Sequence, residues 1–241
     1  MSERSANVDR FYSWIARLDQ ACGGPRVLSE CHGRMGWPNR GVYFFFESGE
    51  TRADGVTPRV VRVGTHALRP SSSTLWTRLA QHRGTTGGSM PGGGNHRASI
   101  FRRHVGGALL ASGNWPAEIA ETWGVGSTAT TEVRRCEYPL EQAVSECICA
   151  MPLLWLEVND PPNRQSRRGV IERGSIGLLS NLDHESIDSP SPTWLGRSCD
   201  RKAVRASGLW NVNHVDDHCD PSVLDELDLL LEVQFSKSLA K

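Results

Sequence analysis

Two short apolar runs, joined by a stretch too polar to bury, constrain this chain most. The first, in Arg40-Gly41-Val42-Tyr43-Phe44-Phe45-Phe46-Glu47-Ser48, is aromatic and flanked by glycines, which suits a buried strand. The second, Arg59 to His66, is β-branched. Between them SGETRADGVTP is polar and turn-rich, so the simplest arrangement is an antiparallel hairpin with a long loop over Glu47 to Pro58. A third run, Leu153 to Val158, reads as another strand.

Helical signals surround these strands. Val8, Phe11, Ile15, Leu18 and Cys22 recur at helical spacing and predict an amphipathic helix over residues 7 to 22, ended by Gly23-Gly24-Pro25. Thr74 is placed to cap a helix through TLWTRLAQHR. The run from Gly84 to Asn95 is too rich in glycine for regular structure and reads as a mobile loop. Further helices are expected over 97–112 (weakened by Gly106 and Gly107), over PAEIAETW, from Pro139 to Ala150 and from Asn163 to Leu179; the rest of 113–135 gives no clear signal. An amphipathic C-terminal helix carries Val223, Leu227, Leu230 and Leu231. The fold class is α/β of the α+β type: a small three-stranded antiparallel sheet flanked by helices, in a chain whose 241 residues suit one domain.

Composition narrows the class. Hydrophobic content of 38% and charged content of 22% are ordinary for a soluble protein. No stretch approaches the roughly 20 apolar residues of a membrane span, and MSERSANVDR lacks an apolar signal core, so a cytoplasmic protein without a membrane partner is expected. The 7 cysteines lack paired CxxC spacing and read as reduced thiols; a metal set from Cys31, His32, Cys199 and Cys219 is a minor alternative. Net charge is zero but unevenly spread. From Gly55 to Ala117 there is no Asp or Glu, while arginines and histidines recur, so a polyanion could dock there; Asp216 to Glu232 is acidic.

Gly41-Val42-Tyr43 on the first strand, Arg62-Val63-Gly64 on the second, Leu75-x-x-Arg78-Leu79-x-x-His82 and Gly169-Val170-Ile171-Glu172-Arg173 follow in an order that resembles the GIY-YIG nuclease superfamily. The second triad departs from the pattern, with Arg62 where a tyrosine is usual. The resemblance covers residues 40–181, a GIY-YIG-like core with a long insertion at about 84–138; residues 1–39 would be an N-terminal helical extension, and 182–241 an irregular C-terminal extension ending in the acidic helix.

The resemblance implies a metal-dependent endonuclease that hydrolyses phosphodiester bonds in nucleic acid, with double-stranded or structured DNA as the expected substrate. Tyr43 would activate the attacking water or relay its proton, with His82, near neutral in pKa, as a second candidate base. Arg78 would stabilise charge on the phosphate. Glu172 would hold one Mg²⁺ or Mn²⁺, weakly and mostly hydrated. Arg62 and Asn181 are candidate supporting residues; Asn181, nine residues past Glu172, belongs at the helix C-terminus rather than on the face of Glu172. Arg69, Arg83, His96, Arg97, Arg102 and Arg103 are expected to bind nucleic acid. Trp194 and the segment Gly208 to His214 could stack or read bases, or staple an irregular lobe to the core. The alternative function is a weak or inactive nucleic-acid-binding module derived from this fold. A dimer is one expectation for cutting both strands.

Overall fold

The computed structural model describes residues 2–163, 165–218 and 220–239; Arg164, within one expected helix, and Cys219, of the minor metal set, lie outside them. The elements in chain order are α1 (Glu3–Cys22), β1 (Arg26–Val27), β2 (Gly41–Thr51), β3 (Pro58–Gly64), α2 (Leu75–Arg83), α3 (Ile100–Ser112), α4 (Ala117–Thr122), α5 (Thr131–Cys149), β4 (Pro152–Glu157), α6 (Arg167–Leu179), α7 (Lys202–Ser207) and α8 (Ser222–Leu239). The sheet is antiparallel, in the order β1-β4-β2-β3. Beyond the three expected strands it gains only two-residue β1, paired with the start of β4.

The unbroken apolar run of β2 has a simple cause: both faces of the sheet are covered. Val42, Phe44 and Phe46 point into one core with α1, α6 and α8, whereas Tyr43 and Phe45 point into another with α2, α3 and α5. The hairpin forms as expected, but β2 runs on to Thr51, and the turn narrows to Arg52–Thr57, where the Asp54 carboxylate accepts the Val56 and Thr57 amides. A bulge in β3 fixes which of its side chains share a face with Tyr43. Phe45 pairs with Arg62 and Phe46 with Val60, leaving Val61 extra. That extra residue turns Arg62 and Gly64 onto the face of Tyr43.

Several helix limits move. The helix expected to open at Pro139 starts at Thr131, capped by the Thr130 hydroxyl, and carries Pro139 inside it. A proline there removes one intrahelical donor, and ion pairs from Glu137 and Glu141 to the segment before α3 and to α3 itself anchor the helix on either side of it. The last helix of the expected core begins at Arg167, capped by Ser166. The glycine-rich loop has no regular structure, yet it is pinned: Thr85 donates to the Gly93 carbonyl, Gly92 to Thr85, and the Tyr138 hydroxyl to Pro91.

The N- and C-terminal parts are built into the core. Trp14 donates to the Leu227 carbonyl, and Arg10 and Arg17 of α1 pair with Asp225, Asp228 and Glu232 of acidic α8. The free edge of β3 is covered by the chain at 209–211: Trp210 donates to the Val61 carbonyl, and the Asn211 side chain bonds both the amide and carbonyl of Val63. Trp194 and Trp210 are buried, and both indoles donate to Glu47, so they staple the C-terminal segment to the sheet instead of offering faces to bases.

Inside the insertion, Arg102 is fully buried and bonds the Glu141 carboxylate, the Glu141 and His82 carbonyls and Ser145. Removing one member of a buried ion pair strands the other charge. Glu141→Ala is therefore expected to lower unfolding stability by about 3–5 kcal/mol, read from denaturant midpoints with circular dichroism.

Candidate active site

One cleft of about 240 Å³ opens where β2 begins and β3 ends, and Tyr43, Arg62, Arg78 and Glu172 all line it. Tyr43 faces Gly64 across the hairpin, and its ring lies over that glycine so closely that a Cβ there would overlap the phenol. Gly64 thus has a packing reason independent of backbone conformation.

Behind Tyr43 stands His82. Its Nε2 lies 2.8 Å from the Tyr43 hydroxyl and its Nδ1 2.8 Å from the Ser99 hydroxyl. Ser99 caps α3, accepting the Arg102 amide, and is wholly buried. Among the described residues the only acceptor for its hydroxyl proton is His82 Nδ1. That assigns the Nε2–H tautomer to His82, which donates to the Tyr43 oxygen. His82 does not line the cleft. Burial, reinforced by Arg78, Arg62 and Arg102, holds its pKa well below the ordinary histidine value. This corrects the expectation of a near-neutral base pointing at a phosphate beside Arg78: the imidazole is a neutral group supporting the phenol from within the core.

Arg62, the departure from the family triad, is buried, donates to the Trp210 carbonyl at 2.6 Å and lies over the Phe101 ring. Burial lowers its pKa, opposed by the nearby Tyr43 and Glu172. Arg78 is half-buried on α2 and donates to Gln81 and the Ala98 carbonyl. Glu172 enters from α6, where Oε1 accepts the Thr65 amide at 3.0 Å. Its other oxygen has no partner among the described residues. Burial raises the carboxyl above its usual range, while Arg62, the Thr65 amide, His214 and Arg78 pull it back.

Asn181 lies outside this cleft. Its amide donates to the Ser207 carbonyl and its Oδ1 accepts the Ile187 amide, so it fixes the turn after α6. The nucleic-acid set disperses. Arg69 is exposed, and Arg103 lines a second hollow of about 280 Å³ that also reaches Arg78. Arg83 turns to the Cys31 carbonyl, and Arg97 makes a two-pronged ion pair with Glu137. His96 and Arg102, expected to meet nucleic acid, are instead buried on Glu141. The acid-free window misled at His96, Arg97 and Arg102 because their counter-charges come from Glu137 and Glu141, outside it. Sequence reasoning passed over Thr65 and Ser99; Ser99 was detectable as a serine opening a helix.

Residues 2–236 match the model of the GIY-YIG domain, and the chain belongs to that family. Its members are nucleases, act on nucleic acid and generally depend on a divalent metal. No curated protein and no solved structure matches the chain. No helix of the described residues is long and apolar enough to cross a membrane.

Beside the cleft, His66 is buried, donates through Nε2 to the Asn39 carbonyl, and has its pKa pushed down to about 4 by burial and then by Arg168, Arg78 and Arg40. The folded state thus binds this proton less readily than the unfolded chain, whose histidine titrates near 6.5. Its contribution to stability is complete above pH 6.5 and is lost as pH falls toward 4. Melting temperature should decline across that interval, and less steeply in His66→Gln.

Proposed function

We propose that this chain is a metal-dependent endonuclease that hydrolyses phosphodiester bonds, with DNA as its substrate. The observation that carries this reading is the convergence of Tyr43, Arg62, Arg78 and Glu172 on one cleft. Tyr43 acts as the base. The His82 N–H and the Arg62 guanidinium stabilise negative charge on its oxygen, so a phenolate there can take the proton of the attacking water. Arg78, at the mouth of the cleft, holds the non-bridging oxygens of the phosphate as charge builds on them. The oxygen of the leaving strand takes its proton from solvent.

The donor set fits a hard divalent cation. Glu172 presents a carboxylate oxygen without a protein partner, in surroundings where burial makes an uncompensated charge costly. Mg²⁺ or Mn²⁺ held through Glu172 would neutralise the phosphate and acidify the attacking water. Arg69 and Arg103 are the members of the basic set best placed to follow a strand away from the cleft. Asn181 supports the site only through the turn it fixes.

The test is cleavage of plasmid and structured DNA with Mg²⁺ or with EDTA. EDTA and Glu172→Ala should each abolish cutting, and Tyr43→Phe should slow it by about 10²–10⁴-fold. His82→Gln, which alters the donor behind the phenol, should lower the cleavage rate. Cutting that survives EDTA or Glu172→Ala would overturn the metal-dependent mechanism.

A further inference from the structure

A second cluster of ligating side chains joins α3 to residues 199 and 200. One ring nitrogen of His104, Cys199 Sγ and one carboxylate oxygen of Asp200 all lie within 4.8 Å of one another. His104 is 2% exposed, and neither of its ring nitrogens has a hydrogen-bond partner. A buried imidazole with both nitrogens unsatisfied is costly and calls for a missing partner. Cys199, 1% exposed, directs its thiol toward Asp200 Oδ1 at 3.5 Å and the His104 carbonyl at 3.7 Å, both weak bonds. Gly107 stands one turn along α3 from His104, and a Cβ there would meet Asp200 Oδ1 at 3.1 Å. The glycine that weakens the helix in sequence terms leaves room for this carboxylate.

We infer that His104, Cys199 and Asp200 bind one Zn²⁺, clipping α3 to the segment that follows the short 3-10 turn Leu195–Ser198. Imidazole, thiolate and carboxylate together suit zinc, whereas a hard ion such as Mg²⁺ avoids thiolate. Cys199 binds as the thiolate and releases its proton to solvent. Asp200 is exposed, so the ion enters from outside and keeps its fourth position for water. Tetrahedral ligands at zinc distances lie about 3.4 Å apart, so the three side chains draw together on binding. His104 also lines the cleft that holds Tyr43 and Glu172, so the clip steadies one of its walls. The inference holds whether or not that cleft cuts nucleic acid.

The test uses the full chain, reduced and stripped of metal, titrated with Co²⁺ and then Zn²⁺. One equivalent of Co²⁺ should give a thiolate charge-transfer band and the strong ligand-field absorption of a tetrahedral site, and Zn²⁺ should bleach both. Cys199→Ser should remove the charge-transfer band. Asp200→Asn, a conservative change on the surface, should weaken binding at least about 10-fold with an unchanged circular dichroism spectrum. Glu172→Gln should leave the titration as in the wild type, which separates this ion from the one at the cleft. Absence of a stoichiometric Co²⁺ complex in the wild-type protein, or a charge-transfer band that persists in Cys199→Ser, would overturn the inference.

Discussion

The hydrogen bond between Tyr43 and His82 is the contact on which the remaining architecture converges. Tyr43 belongs to the sheet and His82 to α2; Ser99, on the other side of the imidazole, caps α3. Arg102, whose amide that cap receives, reaches Glu141 on α5 and the carbonyl of His82 itself. The sheet, α2 and the insertion are thus joined by a run of buried polar groups in which each partner is satisfied by the next. Such a network is rigid because loosening one member leaves several others unpaired in a low-dielectric interior.

Burial within that network also sets the charge of the imidazole. A histidine surrounded by three arginines and shielded from water stays neutral, so it serves the phenol as a donor and not as a proton acceptor. Arg62 stands beside the same phenol, brought to that face by the bulge at Val61. The residue that looked irregular in the motif therefore lines the same cleft as Tyr43, held by the carbonyl of Trp210. The C-terminal segment is in this sense part of the cleft, since it positions a cation within it.

Local pattern carried much of this. The glycine-flanked aromatic run could only be a buried strand, Thr74 marked its helix by its hydroxyl, and the spacing of Arg78 and His82 put both on α2. What stayed hidden depends on distant partners. Nothing near His96 or Arg102 in sequence announces Glu141, and an arginine looks the same whether it will meet phosphate or a buried carboxylate. The spacing of four between Arg78 and His82 likewise shared a helix face without telling that one side chain borders the cleft while the other turns inward. Pro139 resembled a helix start because proline is favoured there, and the longer helix reflects tertiary anchoring that propensity does not include.

The covered edge of β3 has a consequence for how the chain reaches its native state. Its cover comes from residues 209–211, and the ion pairs of α1 with α8 join segments more than 200 residues apart. Contacts of such long sequence separation carry a large loop-closure cost and form late. Until they form, β3 is an open template on which another chain can pair. Dilution during refolding should matter more for this protein than the small size of its sheet suggests, because the danger lies in the interval before residues 209–239 have docked.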